Sequence, residues 1–473
     1  MNIKSWFHPK PPPRILLIFP AILVMLLAML AGALALTYEN DALAVVGIVL
    51  GLFWLGLLAL VALPQTDKWL AGMQSWFKPL AATLMFFLVF AGVVELLALV
   101  ATGLGTTGGG ILGASTPRLL ASISRDLSSS DAVALLDQAV DNVFDGKNPY
   151  AHSNVVSAVI SMDSPYDKTT PLRLGRFAGV FPYPSAAEID SLWDEAVKTP
   201  EIVPVELESK LGYPSGFFLI PALFSLFGVD NIRGVSLLLV VAALAAAIAL
   251  TPSRMRLWLA GACLGSLVIW NGIASGLTGN LYFPFLLLAW LLWRRNLWAS
   301  AICMGIAVAT KQVVWFFLPF YLILLARQLS WRQAALGAGL VAGVFAAFNL
   351  PFIIAGPYLW FDSVVSMMKD ALFPSGWGII TLVLQGWVGT TSPLLFTIME
   401  ATVFIAAIIW YWRNARKYPY LGVVLPVLPL FFAWRSLWTY FLYIDVILLA
   451  AVMQEYAEKR EPRAVLAAEE NPS

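Results

Sequence analysis

Charge is what this chain has least of: 12% of its 473 residues are Asp, Glu, Lys or Arg, while 60% are hydrophobic. Soluble domains run near a quarter charged, so the deficit excludes water as the solvent for most of the surface. The net charge of +1 gives no global attraction for nucleic acid. Cysteine is nearly absent. Cys263 and Cys303 both lie in apolar segments, which excludes a disulfide framework. Two histidines, His8 and His152, leave little scope for an imidazole-rich metal site, and no spacing of carboxylates around His152 signals one. Alternation of apolar and polar residues at period two is missing as well, which excludes a transmembrane barrel.

What remains is long apolar runs. Ile15–Leu36 and Leu43–Leu63 are continuous and long enough to span about 30 Å as helices. Within hydrocarbon each segment must satisfy its own backbone, so the expectation is an all-α polytopic membrane protein. Ile15–Leu36 is too long for a signal-peptide core and is read as a retained helix. Basic clusters mark the cytoplasmic side. They are Lys4/Lys10/Arg14, Lys68/Lys78, Arg254/Arg256, Arg294/Arg295, Arg327/Arg332, Arg413/Arg416/Lys417 and Lys459/Arg460/Arg463. Twelve crossings put all of them on one side: 15–36, 43–63, 79–101, 234–251, 257–273, 279–293, 297–311, 312–327, 333–354, 393–412, 419–434 and 437–453. Both termini then face the cytoplasm.

The chain divides into a cytoplasmic segment (1–14), three N-terminal transmembrane helices (15–101), a large outer loop with juxtamembrane helices (102–233) and a helix bundle (234–354). A second outer loop (355–392), C-terminal transmembrane helices (393–453) and a cytoplasmic tail (454–473) follow. The stretch Thr102–Gly212 holds 14 of the 28 carboxylates, and loops of that size usually carry function. Within it, Val133, Leu136, Val140, Val143 and Phe144 share one helical face, and Asp137, Asp141 and Asp145 the opposite one. The pattern predicts a helix in the membrane interface, ended by Gly146 and turned away by Asn148-Pro149-Tyr150. Tyr213–Phe227 is apolar, short and interrupted by Pro214 and Pro221, and reads as a juxtamembrane helix on the outer face, which also puts Arg233 there.

An interfacial helix begun by Asp131 and closed by Gly146-Lys147-Asn148-Pro149-Tyr150 resembles the first outer loop of GT-C glycosyltransferases, and most of all the family 87 type, which uses polyprenol-phosphate mannose. Tyr213-Pro214-Ser215-Gly216 is similar to that family's Tyr-Pro-Pro element, and Gly228 to Arg233 to its turn into the next crossing. Gly305–Pro319 resembles its Gly…Lys…Pro helix pair, and Arg435-Ser436 before Tyr440 its late outer-face arginine. The resemblance covers Asp131 to Tyr443, about two thirds of the chain. It implies a GT-C-like fold of about 12 helices and inverting transfer of a hexose, mannose, from a polyprenyl-phosphate donor to a lipid or glycan acceptor. It implies neither metal nor other cofactor, and membrane lipids as surroundings, in a bacterial plasma membrane. Two extra crossings before 79–101 and Ser215 in place of a second proline depart from the pattern.

Transfer from a polyprenyl phosphate needs a carboxylate to take the acceptor proton and cations to hold the phosphate. Asp131 is the expected base; capping its own helix is the alternative, and one residue can do both. Asp137 and Asp141 are the other carboxylates in reach of that role, though a solvated face explains them too. Lys311, Arg435 and Arg233 are the candidate phosphate holders, because charge between apolar segments is costly and functional by default. Snorkelling is the alternative for Lys311 and an aromatic-belt anchor for Arg435, between Trp434 and Trp438. Tyr150, His152 and Tyr213 are further site candidates. Glu95, Glu400 and Asp445 lie within expected spans, as proton- or ion-coupled transport would require, although helix–helix pairing is the simpler account of Glu95 and Asp445; a transporter or flippase of a lipid-linked carbohydrate is the competing function.

Overall fold

The computed structural model describes residues 11–38, 40–102, 130–366 and 370–458. Lys4, Lys10, the Lys459/Arg460/Arg463 cluster and residues 103–129 of the expected outer loop lie outside them. Helices α1 (Ile18–Thr37) and α2 (Asp41–Ala62) form a hairpin. Asn40 starts α2 by accepting a hydrogen bond from the Leu43 N–H at 3.1 Å. Helix α3 (Gln74–Thr102) follows. A polar section then carries α4 (Asp131–Phe144), α5 (Val155–Ser161), α6 (Ala186–Ala196) and α7 (Gly216–Ser225). The remaining helices are α8 (Ile232–Leu250), α9 (Arg256–Gly265), α10 (Leu267–Ala274), α11 (Phe283–Leu292), α12 (Leu297–Thr310), α13 (Phe317–Gln328), α14 (Trp331–Ala355), α15 (Pro357–Val364), α16 (Leu394–Asn414) and α17 (Ile444–Glu458).

Among the described residues, seven helices are long and apolar enough to cross a membrane, and the pair α9–α10, bent by 45° at Ser266, makes an eighth. Seven of the twelve expected crossings fall on the long helices, and 257–273 falls on the bent pair. The other four correspond to shorter apolar helices of 10–17 residues. The architecture is that of an all-α polytopic membrane protein. One break is placed by the structure at a single residue: α12 ends at Thr310, Lys311 is extended at φ −154° and ψ 137°, and a 3₁₀ turn over Gln312–Phe316 leads into α13.

The bundle has two poles. At one, Arg14 is buried against Glu455 (2.6 Å), Asp67 (3.3 Å) and the Tyr456 hydroxyl (2.8 Å). There Arg254 donates to the Tyr456 carbonyl and Arg295 to Gln454. These contacts gather arginines from three of the expected basic clusters. The polar section packs at the opposite helix ends. The additional hairpin is integral to the fold: Trp54 of α2 packs on Trp377 and Phe441.

The apolar face of α4 is covered by protein, with one residue departing from the expected pattern. Val133, Leu136 and Val140 are buried in a protein core with Val155, Phe217 and Phe218, because α5 and α7 present matching apolar faces. Phe144, expected on that face, is 52% exposed. The helix end is as expected: Gly146 takes φ +70°, and the Lys147 and Gly146 N–H groups donate to the Asn142 and Val143 carbonyls. A side chain there would strain the left-handed turn.

Candidate active site

Asp131 is the first residue of α4, partly buried, and its Oδ1 accepts the Ala132 N–H at 2.7 Å. The Thr170 side chain and backbone adjoin the carboxylate and favour its ionised form, and Arg435 lies within electrostatic reach. Burial pushes the carboxyl above its ordinary range; Thr170, the Ala132 N–H and Arg435 each oppose that shift. Thr170 is held in turn by a short antiparallel contact, in which its carbonyl accepts the Glu208 N–H at 2.9 Å and Leu172 N–H donates to Glu206.

Arg435 reaches the same place from the far end of the chain. Its backbone forms strand β2 (Arg435–Ser436), parallel to β1 (Ser375–Gly376). Gly376 sits at φ +122°, with room for no β-carbon: one would lie 2.0 Å from the Ser436 carbonyl oxygen. The Trp434 indole donates to the Leu372 carbonyl at 2.9 Å, and Arg173 N–H donates to Ala371. The second loop thus ties the Arg435 segment to the loop that carries Thr170.

Lys311 completes the group. Its Nζ donates to Thr278 Oγ1 at 2.8 Å and stands 5.2 Å from the centre of the Tyr213 ring. The Tyr213 phenol adjoins the Thr278 side chain and lies within electrostatic reach of Asp131, Tyr440 and Arg435. Burial raises its pKa, with Asp131 and Tyr440 adding to the effect. Tyr213 is therefore the hub between the lysine and the Asp131–Arg435 pair. Tyr183 also feels both members of that pair. Among the described residues, neither Lys311 nor Arg435 has a carboxylate within 4.0 Å. The arrangement offers one proton acceptor and two cations whose charge is not cancelled by an ion pair, which suits an anion that gains charge as a bond breaks.

The other sequence candidates fall outside this group or act behind it. Tyr150 is buried, and its hydroxyl donates to the Tyr213 carbonyl at 2.8 Å, so it positions the hub. Ser215, the departure from the Tyr-Pro-Pro pattern, is fully buried and bonds Asn349 through its hydroxyl (3.0 Å) and its N–H (2.9 Å). Arg233 directs Nε to the Ala274 carbonyl at the end of α10, 2.7 Å away. Asp137 faces Asp141 and Asp230; burial raises it, and both neighbours add to the rise. Asp141 is exposed, and the exposed His152 ring meets the Asn148 carbonyl at 3.0 Å. Thr170, Thr278 and Tyr183 carry no signal in the sequence, since lone threonines and tyrosines in loops match no pattern. Among the described residues, no group of three or more His, Cys, Asp or Glu is placed to hold a metal ion. No family model, curated protein or solved structure matches this chain.

Proposed function

We propose that the chain is an inverting glycosyltransferase that moves a hexose, mannose, from a polyprenyl-phosphate donor to a hydroxyl of a lipid or glycan acceptor. The observation that carries this reading is the convergence of Asp131, Arg435 and Lys311 from three separated segments around Tyr213. In the reaction the acceptor oxygen attacks the anomeric carbon while Asp131 takes its proton. The bond from that carbon to the phosphate oxygen breaks on the opposite face, inverting the centre. The electron pair leaves with the polyprenyl phosphate, whose new negative charge Arg435 and Lys311 offset. Phosphate is already a good leaving group, so the step as written draws on no acid and no cofactor.

In the same proposal the four short apolar helices complete twelve crossings and the fold is GT-C-like. The basic pole, with both termini, faces the cytoplasm of a bacterial plasma membrane, leaving the Asp131 pole outside. The collection of Arg14, Arg254 and Arg295 at one pole supports that orientation. The test uses purified protein in lipid with radiolabelled polyprenyl-phosphate mannose and a membrane glycolipid extract. Transfer by the wild type and its loss in a folded Asp131→Asn variant is the expected result; equal transfer by both would move the base elsewhere.

One feature favours the second reading, a transporter or flippase of a lipid-linked carbohydrate: the bend at Ser266 has the buried Asp445 of α17 against it. If wild-type protein transfers sugar from no polyprenyl phosphate, while Asp445→Asn abolishes movement of a lipid-linked sugar across vesicles, that reading replaces the first.

A further inference from the structure

Helix α16 carries a carboxylate where its pattern calls for a large apolar residue. Its inward stripe runs Phe396, Glu400, Phe404, Ala407, Tyr411, at helical spacing, while Leu394, Leu395, Ile398, Ile405 and Ile409 face outward. One turn before Glu400, Phe396 packs on Trp434 at 5.5 Å. One turn after it, Phe404 packs on Phe316 at 5.0 Å and Phe320 at 6.1 Å. Glu400 therefore projects between Trp434, the neighbour of Arg435, and Phe316, five residues beyond Lys311. Tyr440 lies within electrostatic reach of both Glu400 and Arg435. The carboxylate is partly buried and has no hydrogen-bond partner among the described residues.

A carboxylate in an apolar span without a partner is costly, and nothing in the packing of α16 asks for one. It does not replace Asp131, which has its own hydrogen bonds, and as an anion it adds nothing to phosphate binding. Its acceptor oxygens fit a neutral ligand rich in hydroxyl donors, and the flanking aromatic rings offer flat apolar faces for such a ring to lie on. Resting on the glycosyltransferase reading above, we infer that Glu400 and Tyr440 form the subsite that holds the hydroxyls of the donor sugar. Arg435 and Lys311 hold the phosphate to which it is attached. Glu400 is then a specificity-determining residue.

The experiment measures binding of polyprenyl-phosphate mannose and of sugar-free polyprenyl phosphate to full-length protein in lipid nanodiscs. It compares wild type, Glu400→Gln and Glu400→Ala, each checked for an unchanged unfolding temperature. A hydrogen bond to a charged group is worth enough that its loss weakens the sugar-bearing lipid by about ten-fold or more. Both variants are expected to show that loss while binding the sugar-free lipid within about two-fold of wild type, since the phosphate contacts are intact. Equal affinity of all three proteins for the sugar-bearing lipid would overturn the subsite and leave the enzyme reading standing; Glu400 would then be satisfied by water alone. Parallel weakening toward both lipids would also overturn it, by showing a general packing effect. Failure of the wild type to bind either lipid would remove the donor reading and this inference with it.

Discussion

Arg14 at one pole of the bundle and Lys311 and Arg435 at the other sit in opposite surroundings. Arg14 is 1% exposed and meets two carboxylates and a tyrosine hydroxyl, so its charge is consumed by structure. Lys311 is 8% exposed and meets a threonine hydroxyl and the face of a tyrosine. Arg435 has Asp131 and tyrosines around it but no carboxylate within ion-pair distance. A buried cation that is not neutralised keeps its field for something that arrives later. The difference separates charges that fasten helix ends from charges that, in the proposed function, meet the donor phosphate.

The comparison breaks most sharply through Asp131→Asn. Transfer is expected to fall by about 10²–10⁴-fold, the usual worth of general-base assistance, with the unfolding temperature unchanged or raised because a desolvated carboxylate has been removed. Arg14→Met should do the reverse. Removing the cation leaves Asp67 and Glu455 facing each other and costs about 2–3 kcal/mol of stability, at the low end for a buried pair because both carboxylates retain some exposure. Thermal unfolding and single-turnover rates on both variants give the answer. A rate loss in Arg14→Met as large as that in Asp131→Asn would erase the distinction between the poles.

Much of this layout was legible in the sequence, for identifiable reasons. Continuous apolar runs can only be helices in hydrocarbon, so α1, α2, α3, α8 and α14 fall where hydropathy puts them. Lys311 and Arg435 stood out because charge next to apolar segments has few structural excuses. The environment of Asp131 did not stand out. Thr170 reaches it from 39 positions along the chain, through loop contacts that no periodicity encodes. The protein cover on the apolar face of α4 was not legible either, because amphipathicity says that such a face is covered, not whether lipid or protein covers it. Arg233 has the composition of an anion holder, yet its Nε turns to a helix carbonyl, a choice set by local geometry.

Thr170→Val sharpens the comparison by changing only what surrounds the base. The threonine hydroxyl stabilises the ionised Asp131, so its loss raises a carboxyl that burial has already raised. The acid limb of the transfer profile should move to higher pH, with the plateau rate little changed, since only the ionisation of the base is altered. Rates across pH 5–9 for wild type and variant test this. Thr170→Ser, which keeps the hydroxyl, should restore the wild-type limb. An unmoved limb would mean that some other group titrates in the rate.

The smallest effect belongs to a buried carboxyl that shares the Asp131 pole without joining the site. Glu208 N–H donates to the Thr170 carbonyl, and Glu208 Oε1 accepts the Lys210 N–H at 2.9 Å. Lys210 in turn bridges Asp370 at 2.8 Å and Asp362 at 3.2 Å. Burial holds the Glu208 carboxyl above its ordinary range, and the neighbouring Asp370 adds to this against the pull of Lys210. A carboxyl raised in the folded state binds more protons there than in the unfolded chain. Stability from this group is thus fully present below the ordinary carboxyl range and is lost as pH rises toward the raised folded value. Wild-type protein should lose on the order of 1 kcal/mol between pH 5 and pH 8 from this source. Glu208→Gln, which keeps a neutral side chain of the same shape at every pH, should flatten that part of the curve. At the Arg14 cluster the carboxylates Asp67 and Glu455 instead face a cation. A pH slope that survives in Glu208→Gln but disappears in Glu455→Gln would place the titrating group at the basic pole.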